Sequence, residues 1–166
     1  MTRGRAAGLI GAVVVLTMVL VAPVAQASSR HPSASCRLSA AMTFKPALMQ
    51  GANTFEFIQF KVRLHGCSGG GVTHARGYAG AAGTLTCDSG ALSGRLSAKM
   101  QVFWNTGAES GLNGFLNLTR SALHGKVLGG LFRGERAHAS FTVTPLDGDC
   151  ASTPLAHAKM TGALSL

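Results

Sequence analysis

Gly66-Cys67-Ser68-Gly69-Gly70 is a stretch of this sequence whose spacing could do chemistry. G-x-S-x-G is the pattern of the hydrolase nucleophile elbow, in which a strained strand-to-helix turn exposes a serine Oγ. That chemistry needs a helix after the serine. Glycines follow instead, and Cys67 is one of only four cysteines, so the stretch reads as a flexible turn. The six carboxylates (Glu56, Asp88, Glu109, Glu135, Asp147, Asp149) leave little material for paired acid/base catalysis. Asp147 and Asp149 stand close together in a loop that could hold calcium, although one such pair is more often a solvated turn. The six histidines show no H-x-x-H or H-x-x-x-H spacing. His138 and His157 fall on the polar faces of strands expected to be neighbours, which makes them the pair to consider for a surface metal. No catalytic, cofactor-binding or metal-binding set is assigned on these grounds, and no cofactor is expected.

Cys87-Asp88-Ser89-Gly90 resembles the nucleophile loop of chymotrypsin-like proteases. The next glycine and the upstream alanine–histidine–cysteine signature of that family are missing, and the chain is too short for its double barrel. Asn117-Leu118-Thr119 is a glycosylation sequon, meaningful only in a eukaryotic secretory pathway. Charge is more informative. Fifteen basic against six acidic side chains give a net +9, a balance that favours anionic surfaces such as wall polymers, phospholipid head groups or nucleic acid. The cations lie scattered in alternating stretches without a run, a pattern that serves solubility more often than a dedicated site. Arg37, Arg63, Arg95, Lys99, Arg136 and Lys159 are the candidates for an anion-binding face. Specific nucleic-acid recognition is not expected, because Trp104 and most phenylalanines stand in the phase of the core rather than beside the cations.

The elements that must position these residues are strands. In residues 91–104 (ALSGRLSAKMQVFW) every second residue from Leu92 to Trp104 is apolar or glycine, which is the period of a strand with one dry face. Cys36 to Phe44 alternate likewise, with Pro46 expected to end the strand. In TFEFIQFKVRLH the phase changes, so a β-bulge near Ile58-Gln59 would let Phe55 and Phe57, then Phe60, Val62 and Leu64, all point inward. Val72 to Cys87 alternates small residues. Leu112 to Leu118, Val127 to Leu131, Ala137 to Val143 and Ala158 to Leu166 complete about eight antiparallel strands without a substantial helix. The expected fold is an all-β single domain, either an antiparallel β-barrel or a strongly coiled sandwich, with first and last strands paired. Its dry face should be core: Phe44, Phe57, Phe60 and Trp104 fill the space left by Ala75, Gly77, Ala79 and Ala81.

Ahead of the strands, Arg3 and Arg5 precede an apolar run to Ala22, then Pro23 and Ala25-Gln26-Ala27, the order of a secretory signal peptide over residues 1–27. Residues 28–35 read as a polar, disordered arm, and 36–166 as the β domain, with no span to hold it in a membrane after cleavage. Cleavage removes two of the basic residues and none of the acidic ones, so the exported chain stays basic. Four cysteines without a C-x-x-C pair imply two disulfides rather than a redox motif or zinc ribbon. Three pairings are open to four cysteines. Strand order selects Cys36 with Cys67, which an antiparallel hairpin brings together, and leaves Cys87 for Cys150.

A first strand ending in TFKP, then GCSGGG, GTLTC, VFWNTGAES, HGKVLGGLFRGERA and TPLDGDC together resemble the small secreted four-cysteine β-rich proteins of streptomycetes and related actinobacteria. That resemblance covers most of the chain after the signal peptide. It implies a β-rich fold with the four-cysteine pattern, and it carries no catalytic residues and no established function. The expectation is a secreted, monomeric, non-enzymatic module that binds at or outside the cell envelope, with anionic envelope polymers as partners. The rival is a barrel that carries a small apolar ligand against the Ala/Gly-rich 75–83 face. Interior volume separates the two: a filled interior favours the module, a pocket of a few hundred Å³ the carrier.

Overall fold

The computed structural model describes residues 33–166. The signal peptide expected over 1–27 and most of the arm lie outside the described residues. Eight strands follow in order: β1 (Ser35–Leu48), β2 (Gly51–Ser68), β3 (His74–Asp88), β4 (Ala91–Trp104), β5 (Glu109–Asn117), β6 (Ala122–Gly130), β7 (Arg136–Pro145) and β8 (Leu155–Ser165). Each pairs antiparallel with the next and β8 pairs with β1, so the sheet closes into a barrel without an edge strand. Ala34 is buried and exchanges two backbone hydrogen bonds with Leu166, so the ordered chain begins within the expected arm. The disulfides are Cys36–Cys67, whose Cα atoms lie 4.1 Å apart, and Cys87–Cys150, at 6.3 Å. The first clamps the β1–β2 pair at its open end, and the second ties the end of β3 to the β7–β8 loop. Two disulfides place the fold in an oxidising, non-cytoplasmic setting.

Alternation decides which side chains fill the barrel. In β4, Leu96, Ala98, Val102 and Trp104 point inward while Arg95, Lys99 and Gln101 stand in solvent. The interior is apolar and the outer wall polar, the reverse of a barrel embedded in lipid. No helix among the described residues is long and apolar enough to cross a membrane. One end is plugged by Leu48, Leu85, Leu96 and Leu155 with the Phe44–Phe55 ring contact, 5.9 Å between centroids. At the other end Trp104 meets Phe132 edge to face at 5.1 Å. Its Nε1–H donates to the fully buried Ser110 hydroxyl at 2.9 Å, and Ser110 in turn donates to the Leu131 carbonyl, so the buried polar atoms of this plug are satisfied. Between the plugs lies an apolar cavity of about 40 Å³ bordered by Ala40, Phe60, Ala79, Ala98, Met100 and Met160 among others.

Three local expectations need correction. Phe55 pairs with Gly83 and Ile58 with Ala81, so the bulge in β2 sits at Glu56-Phe57, ahead of the expected Ile58-Gln59. Ile58 therefore takes the inward place and Phe57 is 60% exposed, its ring laid over Gly80 on the outer wall. Pro46 does not end β1. It interrupts pairing after Thr43, and contact with β8 resumes at Leu48 opposite Leu155. Where β3 and β4 bend around the leucine plug, Gly83 faces Leu96 and Gly94 faces Leu85. Both glycines have φ in the region only glycine adopts easily, +143° and +130°, and each leaves room for the leucine opposite.

Candidate anion-binding face

The outward residues of β8, β1, β2, β3 and β4 form three cross-strand rows. Lys159, Ala41, Lys61, Tyr78 and Gln101 make the first; Thr161, Ser39, Arg63, Arg76 and Phe103 the second; Ala163, Arg37, His65 and His74 the third. Five cations and two imidazoles thus share one face, and no carboxylate stands in register beside any of them. Residues directly opposite across an antiparallel pair have Cβ atoms about 4.5–5.5 Å apart, and like charges there destabilise the sheet. Arg63 faces Arg76 in this way. Glu109, one position beyond Phe103, accepts a hydrogen bond from Gln101 Nε2 at 2.9 Å.

The face is concave in two places. An open depression of about 800 Å³ lies among Arg63, His65, His74, Arg76, Phe103 and Asn105. Asn105 fixes its rim, because Oδ1 accepts from the backbone N–H of Thr73 at 2.9 Å and of His74 at 3.3 Å. A second depression of about 270 Å³ has Lys61, Arg63 and Lys159 around a floor of Ser39 and Ala41, with exposed Leu146 at its edge. Small residues between the cations make the floor, and long cationic side chains make the walls. Tyr78, 57% exposed, stands between Lys61 and Gln101 and adds an aromatic surface to the same wall.

Of the six cations the sequence singled out, the barrel brings together Arg37, Arg63 and Lys159. Arg95 and Lys99 lie on the outer face of β4, where the Arg95 guanidinium sits 4.2 Å above the Phe115 ring. Arg136 stands opposite Lys126 on the β6–β7 pair, away from the cluster. Arg76 and Lys61, which complete the cluster, were not among the candidates. Their signal was present in HARGYAG, where His74, Arg76 and Tyr78 alternate with small inward residues.

The other chemical candidates resolve into structure. Cys67 is bridged and Ser68 ends β2 at a glycine turn. Ser89 and Gly90, both at positive φ, form the two-residue turn of the β3–β4 hairpin. Asp149 accepts from the backbone N–H groups of Thr153 and Ser152, and these bonds first of all hold its pKa down to about 2. Asp147 bonds the His157 ring and backbone, and the His157 side-chain hydrogen bond is the main reason its pKa is lowered. Both carboxylates are thus engaged in closing their own loop, and no group of three or more His, Cys, Asp or Glu among the described residues is placed to share a metal ion. His157 lies in register with Thr43, at the other end of the barrel from His138, so the expected His138–His157 pair does not form. His138 instead faces His124, with the two Nδ1 atoms 3.0 Å apart. In the sequon, Asn117 Oδ1 accepts from Arg120 N–H and Thr119 Oγ1 from Gly94 N–H, which puts both side chains to use in the turn. No family model, curated protein or solved structure matches this chain.

Proposed function

We propose that this chain is an exported, monomeric, non-enzymatic binding module whose β8–β1–β2–β3 face holds anionic polymers of the cell envelope. The observation that carries the reading is the Arg63–Arg76 opposition within a five-cation cluster that has no carboxylate in register. A fold that needed only solubility would intersperse the signs, since facing guanidinium groups cost stability. Arg37, Lys61, Arg63, Arg76 and Lys159 would each meet a carboxylate or phosphate, with arginine suited to bidentate contacts. Tyr78 and Phe103 offer flat apolar surface to the sugar faces of an acidic glycan. The resemblance to exported actinobacterial β proteins supports the extracellular setting. The small lumen weighs against an apolar-ligand carrier, because about 40 Å³ is far below a usual ligand pocket.

The test is titration of the purified protein with a polyuronate and with polyphosphate at rising salt. Saturable binding that weakens steeply toward 0.15 M salt, where the screening length is about 8 Å, supports the reading. Arg63→Glu should abolish it, whereas Arg136→Glu, opposite Lys126 on the β6–β7 pair and out of register with the cluster, should leave most of it. Equal losses in the two variants would show that net charge alone is responsible. A fluorescent fatty acid that titrates to one site per chain, unaffected by salt, would replace the reading with the carrier.

A further inference from the structure

His124 on β6 and His138 on β7 face each other in register on the outer wall, both exposed. Their Nδ1 atoms lie 3.0 Å apart and the rings meet nearly at right angles, 83° between planes. Without a ligand, one ring donates Nδ1–H to the bare Nδ1 of the other, which holds the two nitrogens at a separation that one metal ion can bridge. We infer that this pair is a two-imidazole site for a tetragonal divalent transition metal, Cu(II) above all. Metal–imidazole bonds of about 2.0–2.1 Å to nitrogens at the observed separation enclose an angle of about 91–97°, whereas a tetrahedral centre would want them about 3.3–3.4 Å apart. An angle near 90° is that of adjacent positions in the square-planar or tetragonal sites of Cu(II) and Ni(II). Binding moves the shared hydrogen to an exposed Nε2, so neither imidazole has to change its charge.

The surroundings set the selectivity. Phe115 of β5, which carries the Arg95 guanidinium over its ring, lies beside His124, and Ser165 of β8 lies beside His138. Lys126 and Arg136 face each other one outward position along the strands and repel a dication. Only a metal with high intrinsic affinity for nitrogen overcomes that repulsion with two protein ligands, and Cu(II) stands at the top of the divalent series. The other facing histidines, His65 and His74, offer no equivalent site. Arg37, Arg63 and Arg76 flank them, and the His74 Nδ1 is already bonded to Thr73 Oγ1 at 3.0 Å.

The experiment is isothermal titration of CuCl2 and ZnCl2 into the disulfide-intact protein, purified without a histidine tag, together with electron paramagnetic resonance of the copper form. One Cu(II) per chain, resonance splitting from two nitrogens, and zinc binding at least tenfold weaker are the expected results. His138→Gln should weaken copper binding at least tenfold, and His124→Asn repeats the test from the other strand. His157→Gln removes an exposed imidazole elsewhere and should leave the titration unchanged. Copper binding that survives both His138→Gln and His124→Asn, that is lost in His157→Gln, or that never appears would overturn the assignment.

Discussion

Arg76→Glu should stabilise the fold while it destroys anion binding. In the native barrel, Arg76 faces Arg63 across β2 and β3, with Phe103 on its other side. Opposed like charges cost about 0.2–1 kcal/mol, and an opposite-charge pair in the same place contributes a similar amount of the other sign. Both side chains are exposed, so the lower half of each range applies and the net change is about 0.5–1 kcal/mol in favour of the variant. For a domain of this size, 1 kcal/mol moves the melting temperature by about 3–5 °C, so a rise of about 2–4 °C is expected in low-salt buffer. Near 1 M salt the screening length falls to about 3 Å, and most of the gain should disappear. Thermal unfolding followed by circular dichroism at two salt concentrations reads the first effect, and polyuronate titration of the same samples reads the second. A variant that melts lower than the parent at low salt, or binds polymer as well as the parent, would refute the reasoning. Binding that fell with no gain in stability would mean that the two guanidinium groups do not repel in the free protein.

Ser110→Ala should cost more than its size suggests, because it leaves the buried Trp104 indole N–H without a partner and removes the donor to the half-buried Leu131 carbonyl; a loss of about 1–3 kcal/mol in urea unfolding is expected, and adding Trp104→Phe should cost less than the two single changes summed. Met100→Asp should prevent folding, since it places an unpaired charge against the lumen cavity, whereas Lys99→Asp on the outer side of the same strand should melt close to the parent; equal effects would mean that the phase of β4 is misassigned. The depressed Asp149 pKa gives stability that is fully present above the unfolded carboxylate value near 4 and is lost as pH falls toward about 2; Asp149→Asn should flatten that limb of the pH–stability curve and leave the curve above pH 5 parallel to the parent.

How far the sequence could be read depended on whether a feature was local. Alternation in residues 91–104 is local, and the inward and outward sides of β4 follow from it residue by residue. The disulfide pairing needed only the order of hairpins, and the same order closes the barrel. Phe57 reads as inward because a phenylalanine in an apolar run looks like core. The bulge that turns it out depends on how β2 meets β3, and one residue of offset reverses every side. Arg76 is hard to single out for a related reason: among the small residues of β3 it reads as an isolated charge until the register sets it against Arg63. The histidines show the limit most sharply. His138 had a plausible neighbour in His157 by strand order alone, but the β7–β8 register sets His138 against Ser165 and leaves His157 at the opposite end.

The same register underlies the choice of the wall over the lumen in the proposed function. Eight strands enclose a space that side chains just fill, and here Phe60, Met100 and Met160 fill most of what the ring of alanines leaves open. What remains is lined without polar atoms, so it has nothing to orient or select a ligand. The outer wall differs because adjacent strands repeat about every 4.8 Å and outward residues along a strand about every 6.7 Å. On that lattice Arg37, Lys61, Arg63 and Arg76 occupy neighbouring points, and Lys159 lies across the Ala41 gap from Lys61. Each exposed charge alone contributes little in water. A flexible chain with regularly spaced charges can engage several at once, and after the first contact the others form at high effective concentration. On the proposed reading the rigid barrel contributes by fixing the backbone positions of cations from four strands in advance, so that only their exposed side chains are left to order when a polymer binds.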